Sequence, residues 1–174
     1  AYSRKLGDKL SGGIAARYIY SNLTGGIDVS GSNTRAGTSF AVDVSAFYTN
    51  PDIELFGQNT ILNFGLNLSN IGAKISYTDD ANKDFIPINM KLGTSLAFVL
   101  DDYNSIAIVA DVNKLLVPTP PIYKKDASGS PVLDPVTNEP TIESGMDPNV
   151  GIMSGIAQSF YDASGGMTDE FREY

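Results

Sequence analysis

Residues 60–72 read TILNFGLNLSNIG. Leu62, Phe64, Leu66 and Leu68 alternate with Asn63, Gly65, Asn67 and Ser69. A period of two is the signature of a β-strand, because successive side chains point to opposite faces. One face wants an apolar surrounding and the other wants water or small polar neighbours. A soluble sheet packed on a core meets that demand, and so does a membrane barrel, apolar toward lipid and polar toward its lumen.

The same alternation returns elsewhere. Ile14, Ala16, Tyr18 and Tyr20 share one face, with Ile19 falling on the other beside Ala15, Arg17 and Ser21. Phe40, Val42, Val44, Ala46 and Tyr48 oppose Ala41, Asp43, Ser45 and Phe47. Leu92, Thr94, Leu96, Phe98 and Leu100 oppose Lys91, Gly93, Ser95, Ala97 and Val99. Ile106, Ile108, Ala110 and Val112 complete a fifth segment, and Tyr2 to Leu6 reads as the end of another. These runs exceed the roughly 5–6 residues of a globular strand and reach the about 9–11 that a tilted strand needs to cross hydrocarbon. Phe40 and Tyr48 are eight positions apart. That is about 26 Å along a strand and roughly 20 Å of height after tilt, close to the separation of two aromatic girdles.

Connections alternate in length. Residues 7–9 and 101–104 form tight turns, 50–59 a medium connection, and 24–37 and 73–84 long ones. That rhythm is the one an up-and-down outer-membrane barrel shows, with long loops toward the cell exterior. Residues 118–147 are expected to form a long loop. The stretch 118–148 holds seven of the nine prolines and a net charge of −3, a composition that packs no core of its own. A short helix is expected over 148–163, with Asp147 as N-cap, Pro148 in its first turn and Gly165-Gly166 as its stop. Residues 168–174 read as the approach to a further strand. About five complete strands are visible, too few to close a barrel. Ala1 leads straight into strand-like sequence, so the chain is expected to be an internal piece of a longer parent.

Composition narrows the chemistry. The 174 residues contain no Cys, His or Trp and carry a net charge of −8. That removes disulfides, thiolate or imidazole metal sites and histidine catalysis, and it argues against nucleic acid. The acidic pairs Asp79-Asp80 and Asp101-Asp102 read as solvated loop residues. Asp43, Arg17, Lys91 and Asp111 read as a polar ladder on the small-residue face. The two Asn-x-Ser/Thr triplets and the paired glycines lack the context that would give them a function. No enzyme, metal site or cofactor is expected.

Four segments carry a resemblance: AYSRKLGDKLSGGIAARYIYSNL, LNFGLNLSNIGAKISY, FIPINMKLGTSLAF and GIMSGIAQSFYDASGGMTDEFREY. They resemble the PorV (LptO) family of outer-membrane proteins of the type IX secretion system, itself similar to the FadL family of fatty-acid transporters. The resemblance implies an all-β fold, a transmembrane antiparallel up-and-down β-barrel of 14 strands when complete. Residues 1–174 would be part of that single domain in the bacterial outer membrane, with the short helix in or near an extracellular loop. The implied partners are the translocon (SprA/Sov), cargo C-terminal signal domains, the sortase PorU with its attachment complex, and outer-membrane lipid or lipopolysaccharide. The protein would receive cargo from the translocon and shuttle it to the attachment complex. Ile27, Asp28, Ile122, Tyr123, Lys124 and Lys125, on outer loops, are the candidate partner contacts. Two other readings stand beside it: a FadL-like transporter of hydrophobic small molecules, and a soluble β-rich binding module.

Overall fold

Branched and aromatic residues at every second position favour extended backbone, and in the computed structural model they form long strands. The structure describes residues 1–23, 25, 34–78 and 83–165. Their contacts divide the chain into two units, Ala1–Lys114 and Leu115–Tyr174.

The first unit holds six strands: β1 (Tyr2–Lys5), β2 (Leu10–Ser21), β3 (Gly37–Leu55), β4 (Gln58–Gly72), β5 (Asn89–Val99) and β6 (Ser105–Leu115). They lie side by side in chain order, and the pairs from β1 to β5 are antiparallel in register. The sheet is all-β and open, with β1 and β6 at its edges. No helix among the described residues is long and apolar enough to cross a membrane.

Register turns each strand's alternation into two continuous surfaces. Tyr2, Ile14, Val44, Leu68 and Met90 form one row across five strands. Leu10, Tyr48, Phe64 and Thr94 form a parallel row. On the other face run Gly13, Ser45, Asn67 and Lys91, and beside them Ser11, Phe47, Gly65 and Gly93. Phe47 is the bulky member of that second face, and the glycines in its row leave it room. Ile19, which broke the alternation of its segment, lies on this face beside Ser39.

The connections also sort by end. Short turns join β1 to β2, β3 to β4 and β5 to β6 at one end, and the long connections leave from the other. The expected medium connection over 50–59 is absent. Instead β3 runs on to Leu55 and turns at Phe56-Gly57, both at positive φ (54° and 73°), the pattern of a two-residue hairpin whose twist suits the strands. A bulge between Asn50 and Ile53 precedes it. Pro51 lies within that bulge, where its missing N–H does no harm. Lys9 fixes the bulge by donating to Asn50 Oδ1 at 2.5 Å and pairing with Asp52 at 3.1 Å.

The second unit is more ordered than its proline content implies. β7 (Ile122–Tyr123) pairs with β8 (Ile142–Ser144), and bridges Lys125–Pro131 and Leu133–Pro140 extend the pairing. The helix α1 is Ile152–Gln158, seven residues with Gly151 as N-cap. It is shorter than the span 148–163 expected from sequence. Asp147 does not cap it. Its carboxylate accepts the Asn149 N–H at 2.8 Å, and its carbonyl accepts from Gln158 Nε2 at 3.0 Å, so the acidic residue and the proline organise the turn before the helix. The expected strand approach over 168–174 lies outside the described residues.

Gly72 is where β4 leaves the sheet. A Cβ there would sit 2.2 Å from the Phe40 carbonyl oxygen and 2.8 Å from Ala41 Cα, both on fixed backbone. Gly72→Ala is therefore expected to destabilise the sheet by about 1–3 kcal/mol. Equilibrium urea unfolding checks it; an unchanged midpoint would show that the two strands part freely at this point.

Candidate functional site

The distribution of burial over β3 is inverted relative to a soluble sheet. Phe40 is 70% exposed, while Ser39, Ala41 and Asp43 on the opposite face are 3%, 3% and 8% exposed. Exposure of the apolar face spreads along the rows, with Ile14, Tyr18, Val44, Phe64, Leu66 and Leu92 all exposed. A contiguous apolar surface of this extent is not left bare to water by soluble monomers. Aromatic rings mark two levels on it: Tyr18 against Phe40 at 5.1 Å and Tyr48 against Phe64 at 6.5 Å.

The small-residue face carries the polar structure. Arg17 donates from Nε to Asp43 Oδ2 at 2.7 Å and pairs with the same oxygen through Nη2 at 2.5 Å. Asp43 sits opposite a bulge, where Val42 faces Ile71 and Val44 faces Leu68. Its Oδ1 accepts the Asn70 N–H at 2.9 Å, and Asn70 adopts φ 59°, which asparagine tolerates better than most residues. The Asn70 amide in turn donates to the Pro87 carbonyl at 3.0 Å. Of the expected polar ladder, the structure joins Arg17 and Asp43. Asp111 lies by Gly93 instead, its Oδ1 2.5 Å from where a Cβ would stand.

The Asp43–Asn70–Pro87 chain was not read from sequence. Its trace is there: after Leu68 the apolar positions jump from even to odd at Ile71, a one-residue slip that signals a bulge.

The candidate partner contacts divide. Ile27 and Asp28 lie outside the described residues, as does the pair Asp79-Asp80. Ile122 and Tyr123 form β7, followed directly by Lys124 and Lys125, with Ile122 and both lysines exposed. Their backbone is held from several sides. Lys124 N–H donates to Thr141 O, Thr141 N–H to Val132 O, and Val132 N–H to Lys124 O, at 2.8–2.9 Å. This ring of three bonds ties together segments that carry almost no buried apolar surface. Aspartates close the turns between them. Asp126 accepts from the Ser128 hydroxyl and from the Ser128 and Ser130 N–H groups, and these bonds, the hydroxyl first, hold its pKa below the usual carboxylate range. Asp134 is lowered likewise, chiefly by the Thr137 and Val136 N–H groups. Asp101, in the β5–β6 turn, is lowered by the Asn104 amide and then the Tyr103 N–H. These carboxylates are engaged in turns, and among the described residues no group of acids is placed to hold a metal ion.

The model of the type IX secretion system protein PorV matches residues 1–122. The chain belongs to the PorV family. No curated protein matches it. The match spans the whole sheet and ends at β7. The chain is thus a type IX secretion system protein, and PorV is not a known enzyme family.

The lowered pKa of Asp126 carries a sign. Its ionised form is favoured by the folded turn, so the contribution is present above the unfolded value near 3.8 and lost as pH falls through the lower folded value. Hydrogen exchange at Ser128 and Ser130, corrected for intrinsic rate, is expected to quicken on acidification. In Asp126→Ala it should be fast throughout; equal protection in both proteins at neutral pH would remove the carboxylate's role.

Proposed function

We propose that this chain is part of a transmembrane β-barrel in the bacterial outer membrane. The barrel receives cargo C-terminal signal domains from the type IX translocon and passes them to the surface attachment complex and its sortase. The observation that supports the membrane part is the bare apolar face, five strands wide in register, opposite a small-residue face that is covered from Gly37 to Asp43 and ion-paired at Arg17–Asp43. Water is a poor solvent for the first face and lipid for the second. The Phe40 and Tyr48 levels, roughly 20 Å apart in height after tilt, fit within the about 25 Å apolar band of such barrels.

Membership of the PorV family supports the secretion part. On this reading residues 1–174 belong to one barrel domain, and the long connections, including 118–147 and the helix, face the cell exterior. Ile122, Tyr123, Lys124 and Lys125 are the proposed contacts for cargo or attachment partners, together with Ile27 and Asp28. The hydrogen-bonded ring beneath Lys124 favours this role, because a pre-ordered segment loses less entropy on binding than a free loop.

Two experiments test the two parts. Leu66→Arg on the apolar face is expected to cost about 2–4 kcal/mol of membrane stability and to deplete the folded protein from outer membranes, while Asn67→Arg on the neighbouring face leaves assembly intact. Equal tolerance of both would reject the lipid contact. Removing residues 126–141 from the full-length protein is expected to leave the barrel assembled and to reduce copurification of cargo. Undiminished cargo capture would reject the assignment of this segment.

A further inference from the structure

The connection between β4 and β5 does not extend away from the sheet. Ala73 leaves Gly72 and at once lies by the small-residue face: its carbonyl accepts from Ser39 Oγ at 2.6 Å. Ile75 and Tyr77 follow over Gly37, which shares that face with Ser39, Ala41 and Asp43. A Cβ on Gly37 would stand 2.7 Å from Ile75 Cγ1 and 3.0 Å from Tyr77 Cε1. The first arm is then fixed to the start of β3 by Arg35 N–H to Tyr77 O at 2.9 Å and by the Thr34–Thr78 bridge.

The returning arm is tied as firmly. Ile75 and Asp84 exchange both backbone bonds at 2.8 Å, Lys74 lies over the Phe85 ring at 4.2 Å, and Pro87 takes the Asn70 amide. Through Asn70 and Asp43 that arm is joined to Arg17 on β2. Ile75, Ile86 and Ile88 are buried, so the connection carries most of the buried aliphatic side chains of a unit whose large apolar face is bare.

We propose that residues 73–78 and 83–88 form a strap folded inward across the lumen wall at the long-connection mouth, closing that mouth to passive solute flow. The inference rests on the barrel reading above. The glycine at 37 is the seat that lets the strap lie flat, and the Asp43–Asn70–Pro87 chain is its far anchor. A barrel narrowed in this way acts as a membrane-held scaffold and not as an open pore for small molecules.

The test uses the full-length protein reconstituted in bilayers, with insertion confirmed first by resistance of the folded form to denaturation in detergent. Gly37→Cys with Ile75→Cys is expected to form a disulfide, since the space at Gly37 points at the Ile75 Cγ1 position. Phe40→Cys with Ile75→Cys, on opposite faces, should not. The native protein is expected to show no sustained ion conductance. Deleting residues 75–84, whose ends already meet at the Ile75–Asp84 pair, should open it. An inserted protein in which the disulfide between positions 37 and 75 fails to form, or whose conductance matches that of the deletion, overturns the strap. Failure to insert overturns the barrel reading and the strap with it.

Discussion

The antiparallel ladder keeps two incompatible surfaces apart, and the other features follow from it. Each strand alone only alternates. Once β1 to β5 pair in register, most large apolar side chains fall on one side and most small or polar ones on the other, with Phe47 and Ile19 as exceptions. A slip of one residue between β3 and β4 would bring Val44 beside Asn67, and one between β4 and β5 would bring Phe64 beside Ser95, setting apolar side chains against the polar face. The sheet therefore has to hold its register against a strong penalty, and it does so with long strands. The 19 residues of β3 and 15 of β4 make a register error unfavourable at many positions at once.

The register is broken in two places, and each break is pinned. The bulge at Asp43 would leave backbone groups without partners on a face that shuns water from one side. The Asp43 carboxylate satisfies one of them and also neutralises Arg17. The bulge at Asn50–Ile53 is held by Lys9 from the neighbouring turn. In both cases a charged side chain from the adjacent strand or turn does the pinning. Counted singly such ion pairs are weak when exposed; Asp43 is largely buried, so removing Arg17 would leave its carboxylate without that partner.

The sheet was legible in the sequence because alternation is a local property that survives unchanged into the fold. Strand identities, the facing of Phe40 against Asp43 and the length rhythm of the connections all follow from it. The turn at Phe56-Gly57 escapes a sequence reading because two residues leave no run of Gly, Pro, Asn or Ser to mark it, and phenylalanine seldom accepts positive φ. The helix starts later than expected since Asp147 and Pro148 carry the chemistry of a cap but direct it to a turn that Gln158 closes from within the helix. Neither the strap nor the ring at Lys124 could be read, as both depend on contacts between residues far apart in sequence that share no pattern. Of the candidate contacts, Ile122 and Tyr123 lie in a short strand that Lys124 and Lys125 follow, with three of the four exposed, a placement that loop composition does not reveal.

On the proposed barrel reading, burial within the first unit bears on the choice between pore and scaffold more directly than composition does. A pore needs a polar wall that stays wet along its length. Here the wall is wet only in part: the stretch from Gly37 to Asp43 is taken up by the chain's own backbone and aliphatic side chains. Glycine at 37 and 72, the first residue of β3 and the last of β4, brings that segment close, at the backbone-entropy cost glycine carries. The same glycines are well placed if the wall's role is to hold a connection against it. On the proposed barrel reading, the bare apolar face anchors the molecule, the polar wall holds its own loop, and the hydrogen-bonded ring at Lys124 offers a partner a backbone that is already ordered.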